Sequence, residues 1–208
     1  MALTQKQILQ WLENCHQCFT EQRDYLTQLD TSIGDGDHGL NMQRGFSKVA
    51  EKFPTLVDKD ISTILKTVGM TLLSQVGGAS GPLYGTFFLK ASQSIDGKQD
   101  ISSEELVQML KNGVEGIVSR GHAKLGDKTM CDVWLPVLDE LEQADLHQPL
   151  CTLLESAVKK AKISLEATIP LVAKKGRASY LAERSVGYQD PGATSTMYML
   201  EALYQAVK

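Results

Sequence analysis

Asp30, Asp35 and Asp37 lie close together in the run Asp30-Thr-Ser-Ile-Gly-Asp-Gly-Asp-His-Gly-Leu-Asn41. Ionised carboxylates this crowded repel one another, and a bound cation relieves the repulsion. Hard oxygen donors on a glycine-rich backbone suit Mg²⁺ or Ca²⁺ better than softer metals. The pattern predicts a divalent-metal site at Asp30, Asp35 and Asp37. Two familiar motifs fit the segment poorly. Gly34 to Gly39 formally matches GxGxxG, but that fingerprint works after a strand, and the stretch from Arg23 to Leu29 is polar with scattered apolar positions. A calcium EF-hand begun at Asp35 needs a polar ligand, a glycine and a carboxylate at its fifth, sixth and twelfth positions. The chain offers Gly39, Leu40 and Phe46. A plain solvated turn is the ordinary alternative, since Asp and Gly are common turn residues.

Three further segments carry glycine, serine, proline or aspartate in helix-start patterns: Gly77-Gly-Ala-Ser80-Gly-Pro82, Gly126-Asp127-Lys128-Thr129 and Asp190-Pro191-Gly192. Each has a simple reading as a turn or cap, with Ser80 and Asp190 as N-caps. Gly121 to Thr129 nearly spells the Walker A pattern, but Asp127 intrudes between glycine and lysine and no strand leads in. Arg177, following Lys174, Lys175 and Gly176, reads as a solvated charge. His38, set between a carboxylate and a glycine, fits a core histidine less well than His16 does.

The elements that must position these residues are helical. Apolar residues recur at helical spacing through Ile8, Trp11, Leu12 and Cys15, then Met42, Phe46, Val49 and Phe53, and onward to Met197, Leu200, Tyr204 and Val207. No stretch alternates as a strand does. Pro136 falls inside one segment and should bend it. Short connections favour antiparallel neighbours in an up-and-down bundle or closed barrel. If direction alternates, and the short stretch from Ala178 to Arg184 is not a full helix, the starts near Asp37, Ser80, Asp127 and Asp190 share one rim. Free N–H groups at helix starts bind phosphate. Carboxylate-held metal beside such N–H groups composes a nucleotide-phosphate site.

The chain has 208 residues, with 21 Lys plus Arg against 25 Asp plus Glu, a net charge of −4. One domain spanning residues 1–208 is expected. The balance gives no basic footprint for nucleic acid or an anionic membrane. No stretch approaches the ~20 apolar residues of a membrane span, and the amino terminus lacks a signal-like apolar region, so a cytoplasmic location is expected. Cys15, Cys18, Cys131 and Cys151 suggest no disulfide framework. The single CxxC at Cys15 and Cys18 reads as thiols buried on the stripe that holds Trp11.

Taken in order, Asp30-x4-Asp35-x-Asp37-His38-Gly39-x-Asn41, Gly77 to Pro82, Gly126 to Met130, Gly176-Arg177-Ala-Ser-Tyr180-Leu-x-Glu183-Arg184 and Asp190 to Ala193 resemble the nucleotide-binding subunits of dihydroxyacetone kinases, from end to end. The resemblance implies an all-α barrel of about eight antiparallel helices with the nucleotide at one rim, where the periodicity alone finds nine segments by splitting the first thirty residues. It assigns Asp30, Asp35 and Asp37 to two Mg²⁺ ions. It places His38, Gly39, Leu40 and Asn41, with Ala79 and Ser80, around the phosphates of ADP or ATP. Gly121, Met130, Arg177, Asp190, Pro191 and Gly192 would line the adenine and ribose end. No protein nucleophile is implied.

A chain of this length without a substrate half is similar to the separate subunit of phosphoenolpyruvate-dependent systems. Its implied partners are a dihydroxyacetone-binding K subunit and a phosphohistidine M subunit, and family members also partner a transcription regulator. Bound ADP would then act as a coenzyme, phosphorylated in place. The alternatives are the nucleotide domain of an ATP-exchanging kinase for dihydroxyacetone or a related small ketose, a metal-dependent phosphohydrolase, and a nucleotide-sensing module.

Overall fold

The computed structural model describes residues 2–208, in which the chain forms nine α-helices. They are α1 (Gln5–Glu21), α2 (Arg23–Ile33), α3 (His38–Ala50), α4 (Ile61–Gln75), α5 (Ser80–Ala91), α6 (Ser103–Gly121), α7 (Cys131–Gln143), α8 (Leu150–Glu166) and α9 (Pro191–Val207). Local chemistry sets many of these ends. Thr4 and Gln7 close a capping box at α1, Ser102 and Glu105 do so at α6, and the Asp60 carboxylate accepts the Thr63 N–H at the start of α4. His122, in the left-handed region at φ 50°, ends α6. Pro136 lies inside α7, where its ring removes one helical hydrogen bond.

Eight helices close a ring in which α1 packs on α3, each of α3 to α8 packs on its successor, and α9 returns to α1. The ninth, α2, stands outside the ring against α3 and the edge of α9. The barrel of eight and the nine segments of the periodicity are therefore the same structure. The backbone leaves helical geometry only mildly at Gln22 before α2 resumes, so α1 and α2 are successive segments with distinct packing partners.

Aromatic side chains fill the barrel. Trp11, Phe46 and Phe87 surround Phe88 with ring centroids 5.6, 6.5 and 5.2 Å away, and Phe87 stacks on Trp134 at 4.8 Å. All five side chains are buried. Offset and edge-on aromatic pairs add to the energy of burial. Gly113 faces the Phe87 ring so closely that a Cβ would overlap it, which accounts for glycine inside α6. Cys15 is buried and Cys18 half-buried, and all four cysteines are free thiols. Among the described residues the β-structure is a two-residue antiparallel bridge of β1 (Leu3–Thr4) with β2 (Asp100–Ile101), too short to leave an alternation in the sequence.

Between α8 and α9 the chain makes a long excursion that includes two tight 3₁₀ turns over Arg177–Ser185, broken at Ala182. It is not a full helix, so the alternation of helix direction is preserved. Ala173, Ala178 and Leu181 of this strap pack on Ile33 at the end of α2, forming a small apolar cluster of their own.

Candidate functional site

The starts of α3, α5, α7 and α9 converge on one cavity of about 380 Å³. That volume is in the range of small-molecule sites. Convergence of every second helix start is what alternating helix direction requires.

Asp30, in the last turn of α2, is the anchor of the acidic cluster. Its Oδ2 accepts the backbone N–H groups of Asp37 at 2.9 Å and His38 at 3.1 Å, so a side chain of α2 caps the first turn of α3. Asp37, at the N-cap position itself, makes no side-chain cap. A Cβ on Gly34 would overlap the Asp30 carboxylate, and Gly36 turns the chain at φ 74°. Only glycine accepts both demands. One carboxylate oxygen from each of Asp30, Asp35 and Asp37 lies within 4.8 Å of the others. The set is all oxygen, compact and open to the cavity, and it fits a hard divalent cation. Arg177, expected as a solvated charge, is 65% exposed at its side chain and also places Nε 2.7 Å from Asp35 Oδ2.

His38 is buried, with Nδ1 3.0 Å from Ser80 Oγ and Nε2 2.9 Å from Ser195 Oγ. Ser195 continues the chain to the Tyr84 hydroxyl at 2.6 Å. Burial lowers the His38 pKa to about 4, against the opposing pull of Asp30 and Asp37. The imidazole is therefore neutral at pH 7, and one ring nitrogen donates while the other accepts. Ser80 does not cap α5. The cap position is Ala79, and the Ser80 hydroxyl faces His38. Gly78 stands just before it at φ 63°. Asn41 supports this loop from α3: its Oδ1 accepts Arg44 Nη2 at 2.6 Å, and Arg44 Nε donates to the Gln75 carbonyl at 2.8 Å.

The start of α7 lies later than the sequence suggests. Asp132 gathers the N–H groups of Gly126 at 2.6 Å and Thr129 at 2.7 Å, holding residues 126–129 as a loop, and the helix begins at Cys131. Met130 is buried beside Gly192. Asp190 caps α9 through the Ala193 N–H at 2.7 Å. Burial pushes its pKa up to about 7.

The cavity is lined by Asp30, Asp35, Asp37, His38, Ala79, Ser80, Gly121, Met130, Arg177, Asp190, Pro191 and Gly192. Gly39, Leu40 and Asn41 are not among its lining residues. Gly39 packs against the Arg23 carbonyl of α2, and Leu40 is exposed. Sequence reading missed an apolar wall of Leu83, Ile117 and Ala123, and two cations, Arg120 and Lys175. Ile117 sits one turn before Gly121 on the core stripe of its helix, and that stripe was the available signal. The arrangement offers a carboxylate cluster suited to a divalent cation, helix-start N–H groups and an apolar wall in one space, which together suit a polyphosphate attached to a flat base.

Residues 32–205 match the DAK2 domain. The chain belongs to the DAK2-domain family. The matched stretch holds Asp35, Asp37 and all four helix starts, and it begins just after Asp30. Among DAK2 relatives, the chain is 54% identical to the "PEP-dependent dihydroxyacetone kinase, ADP-binding subunit DhaL" of Escherichia coli, over 100% of both chains. It is 41% identical to the PTS-dependent dihydroxyacetone kinase ADP-binding subunit of Lactococcus lactis, over 99% of both. Among solved structures, the dihydroxyacetone kinase of C. freundii in complex with AMP-PNP and Mg²⁺ matches with a TM-score of 0.72 at 26% identity. That match covers 94% of this chain but 33% of the C. freundii chain.

Proposed function

We propose that this chain is the ADP-binding subunit of a phosphoenolpyruvate-dependent dihydroxyacetone kinase. The observation that carries the reading is the convergence of three carboxylates and four helix starts on one cavity. The relatives support the choice between subunit and whole kinase. The ADP-binding subunits of Escherichia coli and Lactococcus lactis are 54% and 41% identical to this chain, against 26% for the C. freundii kinase.

Asp30, Asp35 and Asp37 would hold two Mg²⁺ ions, which would neutralise phosphate charge during transfer. Bound ADP would take a phosphoryl group from a phosphohistidine M subunit and deliver it to dihydroxyacetone on a K subunit. The chain's own residues orient and shield. Backbone N–H groups at Ala79 and Ser80 face the phosphate end, as preorganised dipoles that need no rearrangement as charge shifts. Residues His38 to Asn41 shape the first turn of α3, with His38 supporting Ser80 from within the protein. Leu83, Ile117 and Met130 offer the base an apolar wall, and Gly121 and Gly192 keep it open. Arg177, on the strap, lines the cavity and pairs with Asp35. The subunit would act in the cytoplasm with its K and M partners, and the same family resemblance adds a transcription regulator to them.

The test is the nucleotide content of the protein purified in Mg²⁺. Near-stoichiometric ADP that survives gel filtration is expected. An empty protein, or one that exchanges nucleotide freely, would favour an ATP-exchanging kinase, and ATP hydrolysis with Mg²⁺ alone would favour a phosphohydrolase.

A further inference from the structure

Lys128, in the Gly126 to Met130 motif, lines the cavity, and its surroundings are unusual for a lysine. The residue is 1% exposed, and its backbone is left-handed at φ 60°. Its Nζ donates to three carbonyl oxygens, Ser185 at 2.7 Å, Leu171 at 3.1 Å and Ile169 at 3.2 Å. An ammonium has three N–H groups, and all three are taken. A phosphate-gripping lysine would keep at least one for its ligand. A buried charge needs full hydrogen bonding to be tolerated, which the three carbonyls supply.

Those carbonyls belong to both ends of the strap between α8 and α9. Ile169 and Leu171 lie where it departs, and Ser185 lies where it returns. Further bonds join the same two ends and the Lys128 loop. Gly187 N–H donates to the Ile169 carbonyl at 2.9 Å, Ala173 N–H to Ser185 Oγ at 2.9 Å and Lys174 N–H to the Asp127 carbonyl at 3.0 Å. The stretch so gathered carries Lys175, Gly176 and Arg177 to the cavity, with Arg177 paired to Asp35.

We propose that Lys128 is a positioning residue, the clasp that holds the strap closed over the cavity and so sets how slowly bound nucleotide leaves. This rests on the reading of the cavity as a nucleotide site. The effect on the nucleotide runs through the strap and Arg177.

The test uses the 208-residue chain and four variants: K128M, R177A, the double variant K128M/R177A, and K128Q. Release of N-methylanthraniloyl-ADP is followed by fluorescence during a chase with unlabelled ADP in Mg²⁺. Trypsin cleavage at Lys174, Lys175, Arg177 and Arg184 is followed without nucleotide. K128M should release the probe at least tenfold faster and lose strap protection at least tenfold, with helical circular dichroism retained. The double variant should release no faster than the faster single variant, because both changes open the same element. A general weakening of the fold would instead multiply the two effects. Multiplying effects, or a strap that stays protected in K128M, overturn the proposal. If K128M does not fold, K128Q decides, because its amide keeps two N–H donors for the three carbonyls while removing the buried charge. At least threefold faster release and cleavage support the clasp, and unchanged rates overturn it. A native chain that holds no labelled ADP sinks the nucleotide reading, while the trypsin arm still decides whether Lys128 closes the strap.

Discussion

Asp30 combines two functions that Asp35 and Asp37 do not share. It offers a carboxylate oxygen to the acidic cluster and also accepts the N–H groups of Asp37, the N-cap of α3, and of His38, its first residue. Hydrogen bonds from N–H groups to a charged acceptor contribute about 1.5–3 kcal/mol, against about 1 for a neutral pair. D30A should therefore lower the melting temperature measurably in metal-free protein. D35A, which frees only the half-exposed Arg177 pair, should barely move it. For nucleotide retention the three positions should behave as one unit, because a cation site missing one ligand loses most of its affinity. Each of D30A, D35A and D37A should abolish Mg²⁺-dependent retention of ADP, and combining them should add little. Equilibrium dialysis with ADP and Mg²⁺ checks this, and retention by all three single variants would falsify the metal assignment.

At the scale of the element, the loop into α5 offers a contrast between backbone and side chain. Gly78 sits at φ 63°, where a β-branched residue is strongly disfavoured. Ser80 points its hydroxyl at His38 and leaves its backbone N–H at the helix start. If N–H groups do the phosphate binding, G78V should cut phosphoryl transfer at least tenfold, and S80A should cost less. Steady-state turnover of the assembled kinase ranks the two, and the opposite order would make the hydroxyl the main contact. Legibility in the sequence follows the same division. The starts of α3, α5 and α9 were readable because the signals are local: Gly36 and Gly78 take left-handed turns just before α3 and α5, and Asp190 caps α9 beside a first-turn proline. The start of α7 was misplaced because Asp132, inside the helix, reaches back to Gly126 and Thr129. Lys128 was unreadable for a related reason. Lysine is a surface residue by type, and only the tertiary fold supplies the three carbonyls that let it be buried. Arg177 meets Asp35 across a long separation in sequence, so periodicity could not pair them.

At the scale of the whole molecule, one barrel end is chemical and the rest is scaffold. Eight helices close on themselves around an aromatic interior, so the four helix starts are held by a continuous core and cannot drift independently. Such a frame suits a carrier that keeps its nucleotide through many turnovers and exchanges only a phosphoryl group at the rim. Lys128 and the other lysines that reach or flank the rim do not resemble a site for a small ketone. Lys128 is saturated by carbonyls, and Lys174 and Lys175 are on the strap. The chain alone should therefore form no dihydroxyacetone phosphate from dihydroxyacetone, ATP and Mg²⁺. Adding the K subunit, the M subunit and a phosphoenolpyruvate-driven phosphocarrier chain should start turnover, measured by a coupled assay for the triose phosphate. Because the strap and a cation held by the carboxylate cluster should together slow nucleotide escape, extra free ADP should raise that rate by less than twofold. Turnover by the isolated chain, or a rate that climbs in proportion to added ADP, would replace the coenzyme reading with that of an exchanging kinase.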